Sequence, residues 1–141
     1  MSRPLPDLEH PLYGPHWAAA ADERLAMQQC ASCGHVRWPP EPTCPECLAE
    51  GGRWTNVPGT GSVWSVAVYE HAFHPAFRDE LPYACALVEL DAGPGLIARL
   101  VDVEPDAVGI GMRVAAVFPE VAAGVRLVCF APARQIVAIP D

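Results

Sequence analysis

The stretch Cys30-Ala31-Ser32-Cys33-Gly34-His35, followed, with ten residues between the pairs, by Cys44-Pro45-Glu46-Cys47, decides how this chain is read. Each Cys-x-x-Cys pair wraps a tight turn, and two such turns bring four thiolates into the tetrahedron that a closed structural zinc site requires. Gly34 follows the first pair directly, at a place where positive φ is needed and only glycine adopts it without steric cost. The ten-residue spacer is short, but it suffices for a hairpin with one knuckle at each end. The same cysteines are compatible with two disulfides or a redox pair, readings that need an oxidising compartment to which nothing else in the sequence points.

Around that motif the composition sets limits. The chain has 141 residues, 51% of them apolar, enough to bury a core as one domain or two small ones. No run approaches the roughly 18 apolar residues of a membrane helix, and Met1-Ser2-Arg3-Pro4-Leu5-Pro6-Asp7 lacks a signal-type apolar core, so a cytoplasmic protein is expected. Cys85 and Cys129 lie inside apolar, strand-like runs and read as buried thiols. The net charge is −8, and all nine basic residues are arginines. An acidic chain without lysine is poorly suited to a nucleic-acid backbone, and a Schiff base or lysine general base is impossible in it.

Outward from the motif, residues 1–28 read as a proline-rich arm and a short helix. Trp17, Ala20, Ala21, Leu25 and Met27 are spaced loosely as a helical face from His16 towards Gln28, with an earlier end near Glu23 as the alternative; Leu25 to Gln29 reads equally well as the first strand of the ribbon. Residues 29–58 form the metal ribbon, with His35 to Trp38 as its return strand and Pro39, Pro40 and Pro42 holding the link extended. Residues 59–134 are all β: Ser62 to Tyr69, Tyr83 to Leu90, Leu96 to Val103, Met112 to Phe118 and Val125 to Phe130, the second and third joined by the turn Asp91 to Gly95 and the last two by a loop from Pro119 to Gly124. Five such strands close most naturally as a Greek-key OB barrel, which removes exposed edges; a small open sandwich is the alternative. Residues 135–141 are a short tail whose Ile136, Val137 and Ile139 have packing potential.

Leu25 to Cys47 with Arg37 and Pro39-Pro40, then Pro82-Tyr83, Val88-Glu89-Leu90-Asp91 and Ile110-Gly111-Met112, resembles a family of small zinc-ribbon plus OB-fold proteins long catalogued as domain of unknown function number thirty-five. The resemblance runs from about Trp17 to Pro132. It implies an N-terminal helical segment, a rubredoxin-like ribbon and a C-terminal OB barrel. It also implies a thiolase-like or hydratase-like enzyme of acyl-CoA metabolism as partner in a hetero-oligomer, with the barrel near coenzyme A or the acyl group. Cys30, Cys33, Cys44 and Cys47 carry over as metal ligands, for zinc or alternatively iron, and no catalytic residue carries over.

Within the barrel half, His71 and His74 follow the first strand in a loop that OB folds use for ligands, and Phe73, Phe77 and Tyr83 bracket it. Among the arginines, Arg99 and Arg126 are the candidates for a coenzyme phosphate. Trp17 and Trp38 read as packing groups that seal helix and ribbon. The expected function is a non-catalytic accessory subunit of a thiolase-like acyl-CoA enzyme, an aldolase or lyase among the options. The alternatives are a nucleic-acid-binding ribbon/OB module, which the acidic charge opposes, and a small metal hydrolase, which four cysteines leave no open position to support.

Overall fold

The computed structural model of the protein describes residues 3–133; the tail with Ile136, Val137 and Ile139, and Arg134, lie outside the described residues. The chain begins as an extended arm that turns at His10, whose Nδ1 accepts the backbone N–H groups of Leu12 (3.1 Å) and Tyr13 (3.3 Å) at the start of helix α1 (Gly14–Ala21). Glu23, at φ 59°, ends the helix in a left-handed turn. The helix is thus shorter than its apolar spacing allows, and Leu25 onwards takes the other reading open to it: β1 (Ala26–Gln29) is a strand.

β1 is the centre of the ribbon. It pairs antiparallel with β2 (Val36–Arg37) on one side and with β3 (Arg53–Asn56) on the other. The third ribbon strand was not expected, because Arg53 to Asn56 is too short and too polar to show alternation. Leu25, Met27, Val36, Trp38 and Val57 pack against the same core as the barrel, so ribbon and barrel share one apolar interior.

The barrel opens with β4 (Thr60–Tyr69), β5 (Tyr83–Leu90), β6 (Gly95–Leu100) and β7 (Arg113–Val117). A small hairpin of β8 (Glu120–Ala122) and β9 (Val125–Arg126) follows, and β10 (Cys129–Pro132) completes the closed ring β10-β6-β5-β4-β7. β10 runs antiparallel to β7 and parallel to β6, giving the five-stranded OB arrangement expected from the sequence. Two details correct that expectation. The third barrel strand stops at Leu100, not Val103, because Asp102 turns the backbone left-handed at φ 59°. The run from Val125 to Phe130 is two strands, since Arg126 donates to the Phe118 carbonyl (2.7 Å) and folds the first part back as a hairpin before β10 begins.

Alternation along β5 and β6 places Ala84, Ala86, Val88, Leu96, Ala98 and Leu100 inside, around the fully buried Phe130. Gly61 lets β4 and β5 approach closely, since a Cβ there would lie 2.5 Å from the Glu89 carbonyl oxygen. Between Val63 and Ser65 the β4–β5 register slips by one residue, a β-bulge that leaves Trp64 without a cross-strand partner and 63% exposed. Arg113 bridges the β5–β6 turn to β7 through a bidentate pair with Asp91 (2.8 and 2.6 Å).

Candidate metal centre and the adjoining cleft

The ends of β1 and β2 carry the first knuckle, where Cys30 N–H donates to the His35 carbonyl (2.9 Å) and Gly34 N–H to that of Cys30 (3.0 Å). The second knuckle repeats the pattern, with Cys44 N–H to Ala49 (2.9 Å) and Leu48 N–H to Cys44 (2.9 Å). Gly34 at φ 78° and Leu48 at φ 65° occupy the same left-handed position, one residue after each pair. The four sulfurs lie within 4.8 Å of one another, with Cys30 to Cys47 at 3.5 Å and Cys33 to Cys44 at 3.7 Å. Four sulfurs about 2.3 Å from a central zinc lie about 3.8 Å apart along each tetrahedral edge, so the donor set fits a four-coordinate thiolate site.

As free thiols the four share protons unequally. Backbone N–H groups of Cys33 and Ser32 pull Cys30 down to about 6, and that of Cys47 draws Cys44 down as well. Against the N–H of His35, burial and the contact with Cys47 push Cys33 up to about 12. The sulfurs are therefore arranged so that some ionise readily and a cation displaces the remaining protons.

Arg37, buried at the end of β2, knits this module together. Its Nε donates to Gln28 Oε1 (2.9 Å), and one terminal nitrogen donates to the carbonyls of Glu41 and Gly51 (both 2.9 Å). Gln28 Oε1 also accepts the Glu41 N–H (2.8 Å), which fixes the proline-rich link across the sheet. Sequence reading found Arg37 only as part of a motif, since burial of an arginine without a carboxylate has no signature in a single sequence.

Beside the ribbon, a 340 Å³ cleft separates α1 and Trp38 from the β6–β10 side of the barrel. Tyr13, Trp17, Trp38, Phe77, Ile97 and Val128 give it a mainly apolar wall. His16 closes the back, only 3% exposed, its ring 4.5 Å from that of Trp38 and its Nδ1 3.5 Å from the Ala26 carbonyl. Trp17 and Trp38, read from sequence as packing groups, are half-buried walls of the cleft.

Two of the ligand candidates meet at its mouth. The Arg99 guanidinium sits 4.3 Å over the Tyr83 ring and pairs with Glu80 (2.6 Å), while Arg3 reaches the same carboxylate at 3.6 Å and lies 5.1 Å over Phe77. A second, more polar hollow of 580 Å³ opens from this group past Asp102 and Glu104. His71, Phe73 and His74 line neither cavity. His74 instead accepts the Ala76 N–H at Nδ1 (3.0 Å), capping the 3-10 turn Pro75–Glu80, and Phe73 packs edge-on against His71 (5.3 Å) at 83% exposure. Arg126 lies apart, engaged with Phe118, Glu120 and Glu23. Cys129 is buried against both cavities and Cys85 is half-buried on the neighbouring outer face; desolvation raises both thiols, so they stay protonated at neutral pH. The loop histidines were read from chain position alone, and the helix and ribbon residues that build the cleft were beyond reach without knowing how ribbon packs on barrel.

Comparison with known proteins agrees with this architecture. Residues 17–51 match the family described as the ChsH2 rubredoxin-like zinc ribbon domain, and residues 54–119 the ChsH2 C-terminal OB-fold domain. A chain of the Ltp2-ChsH2(DUF35) aldolase superposes with a TM-score of 0.81 and 38% identity, covering 92% of this chain and 98% of that one. The "Probable enoyl-CoA hydratase alpha subunit" of Thermomonospora curvata is 43% identical over 115 residues; the match takes in 82% of this chain but spans only 35% of that relative's length. The DUF35 domain-containing scaffold protein of Methanothermobacter thermautotrophicus is 35% identical over 98 residues, 69% of this chain and 73% of that protein. On ribbon, barrel and these matches together, the chain belongs to the DUF35 family of zinc-ribbon plus OB-fold proteins.

Proposed function

We propose that the chain is a non-catalytic subunit that docks on a thiolase-like acyl-CoA enzyme of the cytoplasm, an aldolase or a hydratase, and helps it hold its acyl-CoA. The observation that carries this reading is the near end-to-end likeness to a chain of the Ltp2-ChsH2(DUF35) aldolase. The metal of the ribbon is zinc in this reading; when bound it supplies structure, locking the two knuckles, because four thiolates complete its tetrahedron. The side chains around the cleft suit binding better than chemistry. His16 is buried against a backbone carbonyl and Cys129 is held protonated, while His74, outside the cleft, is occupied as a cap. Arg99 and Arg3 offer charge to a coenzyme phosphate or carboxylate, while Tyr83, Phe77 and Trp38 offer faces to an acyl or pantetheine chain.

Co-expression with a thiolase-like acyl-CoA enzyme of the same organism is the direct test. The expected result is a co-purifying complex whose partner loses turnover when this chain is omitted, and acyl-CoA turnover that falls several-fold in the complex carrying Arg99→Ala at unchanged metal content. Thiolase-like acyl-CoA enzymes of the organism that are fully active and stable alone, together with no binding of this chain to them or to acyl-CoA, would refute the reading.

A further inference from the structure

The bulge in β4 has a particular result: it holds a tryptophan in solvent. With Val63 opposite Val88 and Ser65 opposite Leu87, Trp64 is the extra residue, turned to the outer face of the barrel and 63% exposed. On that face Leu87 pairs with Ile97, which is 75% exposed, so an apolar strip crosses β4, β5 and β6 and reaches the cleft that Ile97 also lines. Trp64 and Leu87 wall a 230 Å³ hollow whose remaining sides are Gly93, Gly95 and Glu89. No arginine or histidine among the described residues pairs with Glu89.

Resting on the docking reading above, we propose that this face is the contact with a partner protein of a different sequence, and that the hollow receives an arginine or lysine of that partner. The stem of such a residue lies along the indole of Trp64 and its charge meets Glu89, while the partner's apolar side chains cover Leu87 and Ile97. A cation over a tryptophan face beside a carboxylate combines two attractions, and a bulky apolar strip around it excludes water. Charge selects this occupant over the others. A second copy brings the same Glu89 and the same net charge of −8 to the contact, and a nucleic acid brings a polyanion to an acidic face.

The test measures affinity for the purified thiolase-like acyl-CoA enzyme that the co-expression test above identifies, using full-length wild type and the variants Trp64→Ser, Ile97→Asp and Glu89→Gln. All three substitutions are on the surface strip, and unchanged circular dichroism and metal content show that each variant is folded. The expected result is a loss of affinity of tenfold or more for Trp64→Ser and Ile97→Asp, and of about tenfold for Glu89→Gln with a shallower salt dependence. Wild type and variants binding equally well would overturn the surface assignment and leave the docking reading standing. No binding by wild type would overturn both, and a homodimer of the isolated chain dispersed by Ile97→Asp would assign the face to a second copy instead.

Discussion

His16 shows how much a single buried group constrains this protein. Desolvation pulls its imidazole below the ordinary value of 6.5, with the Ala26 carbonyl opposing, so the folded chain holds it neutral. Between the lowered folded value and 6.5 the unfolded chain binds more protons, hence stability is full above about 6.5 and falls as the pH drops through that window. The urea midpoint of wild type is therefore expected to decline from pH 7 to pH 5.5, and His16→Gln to flatten that decline; identical slopes would exclude the assignment. Asp91 acts at the acid end. The Arg113 guanidinium holds its carboxyl at about 2, so its contribution persists above the usual carboxylate range and disappears as the pH falls towards 2. Arg37 ties the ribbon sheet to its proline-rich link. Arg37→Leu removes the side-chain donor to the carbonyls of Glu41 and Gly51 and leaves Gln28 Oε1 with the Glu41 N–H alone, and a destabilisation of about 3 kcal/mol is expected by chemical denaturation of the metal-loaded protein.

Among the elements, the ribbon depends most on its ion. Its three short strands have little interior of their own, and the knuckles close on only two or three backbone hydrogen bonds each. Freshly prepared protein is expected to contain one metal per chain, and Cys30→Ser to lose it and unfold the ribbon; substantially less than one metal in unchelated wild type would rule the site out. The second knuckle carries a strain the first avoids, because Leu48 sits at φ 65° where its counterpart is glycine. Leu48→Gly should raise the thermal midpoint of the zinc form, worth up to about 1 kcal/mol. Elements with chemistry or strand-like composition were legible in the sequence: the knuckles from cysteine spacing, β5 from its apolar run ahead of the turn at Asp91, the closed barrel from five strand-like runs. Elements defined by what they pack against were not. β3 is four polar or half-buried residues that become a strand only beside β1, and the β8–β9 hairpin is set by Arg126 reaching back to Phe118. The cleft belongs to the same class, since Tyr13, His16 and Trp38 meet Arg99 and Val128 only after ribbon and barrel dock.

For the whole molecule, charge and connectivity set the behaviour. At a net charge of −8, with Arg113 and Arg126 each already paired to a carboxylate, the surface opposes a polyanion. Single-stranded DNA and RNA are expected not to bind at micromolar concentration in physiological salt, and a micromolar complex that weakens steeply with salt would contradict this. The ring order has a further consequence for the chain as it is being made. Every strand of the ribbon precedes Val57, whereas the barrel closes through β10, which lies between β6 and β7 and is the last to leave the ribosome of the ten strands in the described residues. Synthesis therefore completes a metal-binding module while the four earlier barrel strands still wait for a wall, with Leu96, Val114 and their neighbours uncovered until Phe130 emerges. Ribosome-bound chains exposing residues 1–60 should retain zinc, and those stalled before Cys129 has emerged should remain open to protease throughout the barrel half; zinc loading only after β10 appears would show that the nascent ribbon needs the finished barrel first.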